Sequence, residues 1–184
     1  MKQNNVEYAY FAAGCFWCPD AVFRRVVGII ETETGYAGGR RDNPSYEQVT
    51  TGVSGHAEVL KITYDPSKIS YDQLLDIFFA VHDPTTLDKQ GYDEGTQYRS
   101  AIFTANDQQE QAALKKIDQL SESGEYQDPI VTEVEPLGEF FSAEEYHQDF
   151  YEKNSSTPYC QIIIDPKVQK FFKKFPELVK EEYR

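Results

Sequence analysis

The chain has 184 residues, 40% of them hydrophobic, which is enough for one domain with a sizeable core. Its net charge of −13 argues against nucleic acid or an anionic membrane as the main partner, and no apolar run is long enough for an export signal or a membrane span. Three cysteines, two of them in a C-x-x-C pair, indicate a redox role in the reducing cytoplasm rather than a disulfide scaffold.

Strands and helices alternate through the first third of the chain. Residues 7–13 predict a strand, and residues 16–27 predict a helix because their apolar side chains recur at helical spacing. Residues 29–36 predict a second strand, and the stretch 37–55, rich in Gly, Asn, Pro and Ser, predicts a long loop. Alternating apolar and polar residues then predict a third strand at 57–64.

The middle of the chain repeats this alternation. Ser70 predicts the N-cap of a helix with one apolar face, and a polar loop at 83–98 follows it. A fourth strand is predicted at 99–104 and a long helix, capped by its first residue, at 106–123. One further strand is predicted at 130–135.

The last quarter of the chain is expected to be an extension of this core. The run Ser142–Glu145 matches a capping box and predicts the start of a short helix, and residues 166–181 predict a terminal helix. We expect a single catalytic domain over residues 1–184, with a core at about 7–135 and an extension at about 136–184.

The element order of the core is β-α-β-β-α-β, as in ferredoxin-like proteins. It predicts an α+β two-layer sandwich with a C-terminal extension. In that topology strands three and four flank strand one, and their amino ends meet the carboxyl ends of strands one and two. That rim receives Cys15, the loop 37–55, His56 with Glu58, and the stretch 93–98. Polar groups from four separate segments are therefore expected to converge.

Cys15 is the candidate nucleophile. It lies where a strand runs into a predicted helix, and a helix amino terminus lowers the pKa of a thiol. Cys18, one turn later, is either a resolving thiol or a small core residue. Phe16 and Trp17, between the two cysteines, offer an apolar wall for a substrate. Cys160 begins an apolar run, which predicts a buried core thiol.

Glu58 is the candidate acid. If it packs against the aromatic pair, desolvation raises its pKa and lets it deliver a proton to an oxygen; otherwise it faces solvent. Tyr46 and Tyr98 are candidates to donate hydrogen bonds to the same oxygen, with packing as the ordinary alternative. Asp93 fits a turn. One C-x-x-C without a second ligand pair does not predict a zinc site, so we expect no metal.

Eight segments, taken in order, carry a resemblance to a known family. They are Gly14–Trp17, Gly35–Gly39, Tyr46–Val49 with Thr51-Gly52, Gly55–Glu58, Asp65-Pro66, His82–Thr85, Asp93 with Gly95–Ser100, and Ala143–Gln148. With them the chain closely resembles the peptide methionine sulfoxide reductase A family from about residue 7 to the region of Asp165-Pro166-Lys167. A single motif of this kind is weak evidence, but the ordered set is specific.

The resemblance implies reduction of protein-bound and free methionine S-sulfoxide to methionine. It implies that Cys15 attacks the sulfoxide sulfur and becomes a sulfenic acid, that Glu58 protonates the oxygen, and that Tyr46 and Tyr98 hydrogen-bond to it. The expected substrate-binding residues are Phe16, Trp17, Asp93 and His56. The resemblance also implies a monomer without a cofactor, which acts on oxidised proteins and takes electrons from thioredoxin or another dithiol.

The recycling step differs from that of many family members. Cys18 stands where many have glycine, and the chain lacks the glycine-rich tail that carries their resolving cysteine. We predict that Cys18 resolves Cys15 as a disulfide, with Cys160 as the alternative. Two other classes stay open from the residues alone. A thioredoxin-type thiol–disulfide oxidoreductase would not need Glu58, and a non-catalytic binding module would leave Cys15 unreactive.

Overall fold

Six strands form one sheet in the computed structural model, which describes residues 5–184. In sheet order they are β7 (Glu133–Pro136), β6 (Ser100–Thr104), β1 (Glu7–Ala13), β3 (Ala57–Tyr64), β2 (Ile29–Ala37) and β8 (Phe141–Ser142). The four central strands are antiparallel in the order expected of a ferredoxin-like core, which confirms the α+β fold. β7 runs parallel to β6 at one edge of the sheet, and β8, from the C-terminal extension, runs antiparallel to β2 at the other edge.

The sequence predicts no export signal at the amino terminus. Residues 1–4 of that segment lie outside the described part of the chain. Among residues 5–184, no helix has both the length and the apolar composition needed to cross a membrane.

Alternation along β1 divides the core between the two faces of the sheet. Ala9, Phe11 and Ala13 join the larger cluster, which also contains the buried side chains of the helices. Tyr10 and Ala12 point into a smaller cluster on the opposite face, which Leu137 and Phe140 of the extension cover. Because both faces are covered, the end of β1 is fixed in position, and Cys15 comes two residues after that end.

The helices form mostly where the sequence predicts them. They are α1 (Trp17–Phe23), α2 (Tyr46–Thr50), α3 (Tyr71–Ala80), α4 (Asp107–Ser123), α5 (Phe150–Asn154) and α6 (Asp165–Lys174), with one π-helical turn at Cys160–Ile164. Ser70 and Asn106 cap α3 and α4 through their side chains, as predicted. α6 ends at Lys174 rather than at residue 181, because Pro176 restricts the preceding residue and cannot supply an N–H to the helix.

Three local predictions need correction. α1 ends at Phe23 rather than at residue 27, ahead of a turn in which Gly28 has φ +86°. The predicted loop 37–55 contains α2, which Ser45 opens with a capping box. The capping box predicted at Ser142 does not form, because Ser142 pairs with β2 and its hydroxyl hydrogen-bonds to Glu33. Ser142 therefore lies in a strand, although the local pattern predicts that it caps a helix.

Strand register brings the predicted rim together. Ala13 at the end of β1 pairs with Ser100 at the start of β6, and Ala37 at the end of β2 pairs with Ala57 at the start of β3. The loop 83–98 folds into a short hairpin of β4 (Lys89–Gln90) and β5 (Asp93–Glu94) beside this edge. The convergence inferred from topology therefore holds for the strand ends.

Candidate active site

The turn after β1 presents Cys15, and its backbone requires glycine. Gly14 has φ +83°, and a Cβ built on it would lie 2.6 Å from the Gln90 side chain. The next turn is closed by the Cys18 N–H, which donates to the Cys15 carbonyl over 3.1 Å. Cys15 is 8% exposed and Cys18 is 3% exposed. Both thiols are free, and they share a buried site at the amino end of α1.

The pKa of Cys15 is raised well above its usual value, which corrects the lowered pKa expected from the helix start. Burial is the main cause, followed by the neighbouring Cys18 thiol and the Glu58 carboxyl. α1 is only seven residues long and begins at Trp17, so its dipole does not offset this desolvation. The pKa of Cys18 is lowered to about 7 by its hydrogen bond with Cys15, with help from the positive charge of Lys167.

Glu58 lies on β3 at the same edge and is almost fully buried, with 1% of its surface exposed. Its Oε1 accepts the backbone N–H of Phe16 over 3.1 Å, while its buried Oε2 has no hydrogen-bond partner among residues 5–184. Desolvation raises the pKa of the carboxyl to about 8. Glu58 is therefore mostly protonated at neutral pH and has one oxygen available for a ligand.

Tyr46 and Tyr98 lie near this carboxyl and near each other. Both are half-buried, and burial and Glu58 raise the pKa of each above its usual value, to about 12 for Tyr46. Tyr46 is the first residue of α2, and its N–H donates to Glu144 Oε2 over 2.9 Å. Two hydroxyls that stay protonated near a neutral carboxyl can donate to an oxygen bound between them.

An aromatic wall stands beside the thiols. The half-buried ring of Trp17 stacks on Phe150 with centroids 3.5 Å apart, and its Nε1–H donates to His147 Nδ1 over 3.2 Å. His147 also lies against the buried Phe16 ring and against Tyr46. The sequence predicts no site role for His147 or Phe150. No local pattern relates either of them to Trp17, because about 130 residues separate them along the chain.

The remaining candidates fall into different places. His56 is 2% exposed; its Nδ1 accepts the Gly39 N–H and its Nε2 contacts the Arg41 carbonyl, so both ring nitrogens hold the loop after β2. The substrate-binding role expected of His56 stays a prediction, and these contacts show that the ring also fixes that loop. Asp93 accepts a hydrogen bond from the Tyr159 hydroxyl over 3.2 Å. Cys160 is fully buried in the main core, as its sequence context predicts.

The titratable side chains do not form a metal-binding arrangement in the part of the chain that the structure describes. Within residues 5–184, no group of three or more His, Cys, Asp or Glu side chains lies close enough together to hold an ion. The chemistry that these residues can support is that of a thiol pair, a neutral carboxyl, two phenols and an apolar wall.

Comparison with known proteins gives one consistent family. The sequence model of peptide methionine sulfoxide reductase matches residues 7–178. The chain is 56% identical over 165 residues to peptide methionine sulfoxide reductase MsrA of Nautilia profundicola, covering 90% of this chain and 94% of that protein. It is 49% identical over 175 residues to MsrA of Saccharolobus solfataricus, covering 95% and 98% respectively.

Solved structures agree with these sequence matches. Reduced Mxr1 from Saccharomyces cerevisiae superposes with a TM-score of 0.78 at 35% identity, covering 86% of this chain and 91% of that one. The structure of Mxr1 in complex with Trx2 superposes with a TM-score of 0.56 at 26% identity, covering 79% and 86%.

Proposed function

The chain belongs to the peptide methionine sulfoxide reductase family, and on that premise we propose how its residues carry out the thiol-dependent reduction of methionine sulfoxide. It is an oxidoreductase, and the thioredoxin-type disulfide carrier is not favoured. The observation that carries the proposal is the buried Glu58 carboxyl. One of its oxygens accepts the backbone N–H of Phe16, and the other has no partner in the described part of the chain.

In the proposed reaction Cys15 is the nucleophile and Glu58 is the acid. The Cys15 sulfur attacks the sulfoxide sulfur while Glu58 protonates the sulfoxide oxygen, and Tyr46 and Tyr98 donate hydrogen bonds to that oxygen. The oxygen is transferred to Cys15, which becomes a sulfenic acid, and methionine is released with its sulfur reduced. Because Cys15 and Glu58 are both mostly protonated in the free protein at neutral pH, the nucleophile forms only when substrate is bound.

The other site residues are proposed to select the substrate. Phe16 and Trp17 receive its methyl group, because an apolar wall suits the one end of the sulfoxide that has no polar atom. Asp93, which holds the Tyr159 hydroxyl, is proposed to assist substrate binding. This arrangement is proposed to favour the S epimer, in free methionine sulfoxide and in oxidised proteins.

Cys18 is proposed to resolve the sulfenic acid. Its pKa of about 7 makes it a partial thiolate at neutral pH, which is the attacking form, whereas Cys160 is fully buried in the core. The product is a Cys15–Cys18 disulfide and water. Members of this family work with thioredoxin, which we propose as the reductant here, with another dithiol as the alternative. We also propose a single catalytic domain that acts as a monomer in the cytoplasm.

Cys18→Ser separates the two chemical steps. Mixed with one equivalent of an S-methionine sulfoxide peptide and no reductant, the wild type is expected to yield methionine and a Cys15–Cys18 disulfide in peptide mapping by mass spectrometry. The variant is expected to yield the same methionine but to keep Cys15 as a dimedone-reactive sulfenic acid. Its thioredoxin-dependent turnover should fall by about tenfold or more, because thioredoxin then lacks a disulfide to attack.

The matched control is Cys160→Ala, which removes the third thiol. It should retain both the disulfide and the turnover. If the disulfide of Cys15 is lost in Cys160→Ala but still forms in Cys18→Ser, Cys160 is the resolving cysteine. If the wild type releases no methionine, the proposed reaction itself is wrong.

A further inference from the structure

One side chain of the C-terminal extension reaches the thiol pair. Tyr159 packs against the core cluster that contains Cys15 and Cys18, its hydroxyl lowers the pKa of both thiols, and it donates to Asp93 Oδ2 over 3.2 Å. Its half-buried ring meets the Trp17 ring edge-on, with centroids 5.7 Å apart and planes at 82°. Tyr159 therefore joins the two thiols to a carboxylate on the β4–β5 hairpin.

The backbone around Tyr159 holds it in this position. It directly precedes the π-helical turn, in which Cys160 and Ile164 are both fully buried in the main core. A π-helical turn adds a residue relative to a regular helix and is often found at functional sites. With the turn anchored in the core and the ring against Trp17, the hydroxyl has little freedom to leave the thiols.

The phenol has a single hydrogen and more than one acceptor within reach. In the free protein that hydrogen goes to Asp93, which leaves the phenolic oxygen to accept from a thiol. When either sulfur becomes a thiolate, the same hydrogen can turn to it. Burial and the two neighbouring thiols raise the pKa of Tyr159 far above its usual value, so the phenol can donate a hydrogen bond without losing its proton.

We propose that Tyr159, held by Asp93, is a positioning residue for the resolving step, and that its hydroxyl directs the Cys18 thiolate at the oxidised Cys15 sulfur. The proposal rests on Cys18 being the resolving residue. In that step the Cys18 sulfur attacks the Cys15 sulfur and an S–S bond forms. The S–O bond of the sulfenic acid breaks, and the hydroxide that leaves takes a proton from solvent to become water. Cys18 is oxidised, and the sulfenic sulfur is reduced.

The charges around Cys18 explain why a positioned donor matters. Lys167 of α6 favours the thiolate, whereas burial and Asp93 oppose it. The ionisable groups that face Cys18 are Cys15, Tyr159, Asp93, Lys167 and, across the site, Glu58. Among these groups Tyr159 is a neutral donor that lowers the pKa of both thiols.

Tyr159→Phe tests this role, because it keeps the ring and removes the hydroxyl. In a single turnover at saturating S-methionine sulfoxide, methionine formation is expected to stay within about threefold of the wild type, while disulfide formation slows roughly 10- to 100-fold and sulfenic acid accumulates. The pH midpoint of disulfide formation should move upward, because the Cys18 thiolate loses a donor. Asp93→Ala, which removes the anchor of the hydroxyl, should slow the same step by a smaller factor.

Tyr151→Phe is the matched control. It removes another tyrosine-to-aspartate hydrogen bond from the same extension, the one to Asp165, and should leave both rates and the pH midpoint unchanged. A Tyr159→Phe protein that forms the Cys15–Cys18 disulfide at the wild-type rate overturns this proposal alone. Equal slowing of the methionine step and the disulfide step also overturns it. If the disulfide that the wild-type protein forms does not include Cys18, both this proposal and the resolving role of Cys18 are wrong.

Discussion

Cys15→Ser is expected to form no measurable methionine, with a loss of at least about 10⁴-fold in the first turnover. The sulfoxide oxygen must be accepted by a sulfur that can be oxidised, and a serine hydroxyl cannot form a sulfenic acid. Serine is also a far weaker nucleophile than a thiol in this buried site. The measurement is the methionine released from an S-methionine sulfoxide peptide in the absence of any reductant.

Two controls make this result specific to the nucleophile. The Cys15→Ser protein should unfold at the wild-type denaturant midpoint within a small margin, since it differs by a single buried atom. Cys160→Ala should release methionine normally. Methionine formation by Cys15→Ser together with oxidised Cys18 would transfer the nucleophilic role to Cys18, the thiol with the lower pKa.

Glu58→Gln is expected to slow the sulfoxide step by about 10²- to 10⁴-fold, the usual contribution of a positioned general acid. In the wild type the carboxyl is protonated below about pH 8, so the rate of that step should fall as the pH rises through this value. The variant should lack this limb of the profile, because an amide does not titrate. A Glu58→Gln protein with a near-normal rate, or with the wild-type profile, would rule out Glu58 as the acid.

The same substitution should stabilise the protein at alkaline pH. The pKa of Glu58 rises from an ordinary 4.5 to about 8 on folding, so the stability it contributes is fully present below the unfolded value and is lost as the pH rises through about 8. At pH 9 the wild type must bury an ionised carboxylate, whereas the glutamine variant need not. The free energy of unfolding of Glu58→Gln should then exceed that of the wild type by an amount on the order of a few kcal/mol.

Urea unfolding at pH 6 and pH 9 measures this difference. The gap between variant and wild type should widen at the higher pH, and Glu122→Gln, on the exposed face of α4, should show no such change. An equal gap at both pH values would mean that Glu58 does not titrate between them. If the gap widens as expected, Glu58→Gln lowers activity but raises stability, which is characteristic of a group held in an unfavourable state for function.

The local residue pattern was enough to predict the central sheet and the position of Glu58, the candidate acid, at its edge. Alternation along β1 and β3 is a property of adjacent residues, and the strand order follows from the sequence of elements and the limited number of ways to connect them. Together these placed Glu58 on the rim beside the Cys15 turn, and a carboxyl buried at a sheet edge must have a raised pKa. The acid role is still a prediction, but the environment that it needs is present.

The sequence by itself determined the topology and the convergence of strand ends, and it supplied the candidate reactive groups, whose roles stay predictions. Only the tertiary structure decided how those groups are charged and oriented. Burial reversed the expected pKa shift of Cys15, both nitrogens of His56 contact the loop after β2, and the Tyr159 hydroxyl donates to Asp93 from near the end of the chain. A pKa depends on solvent exclusion and on charges within a few ångströms, and a side-chain contact depends on packing. Both are set by residues distant in sequence, so no local pattern contains them.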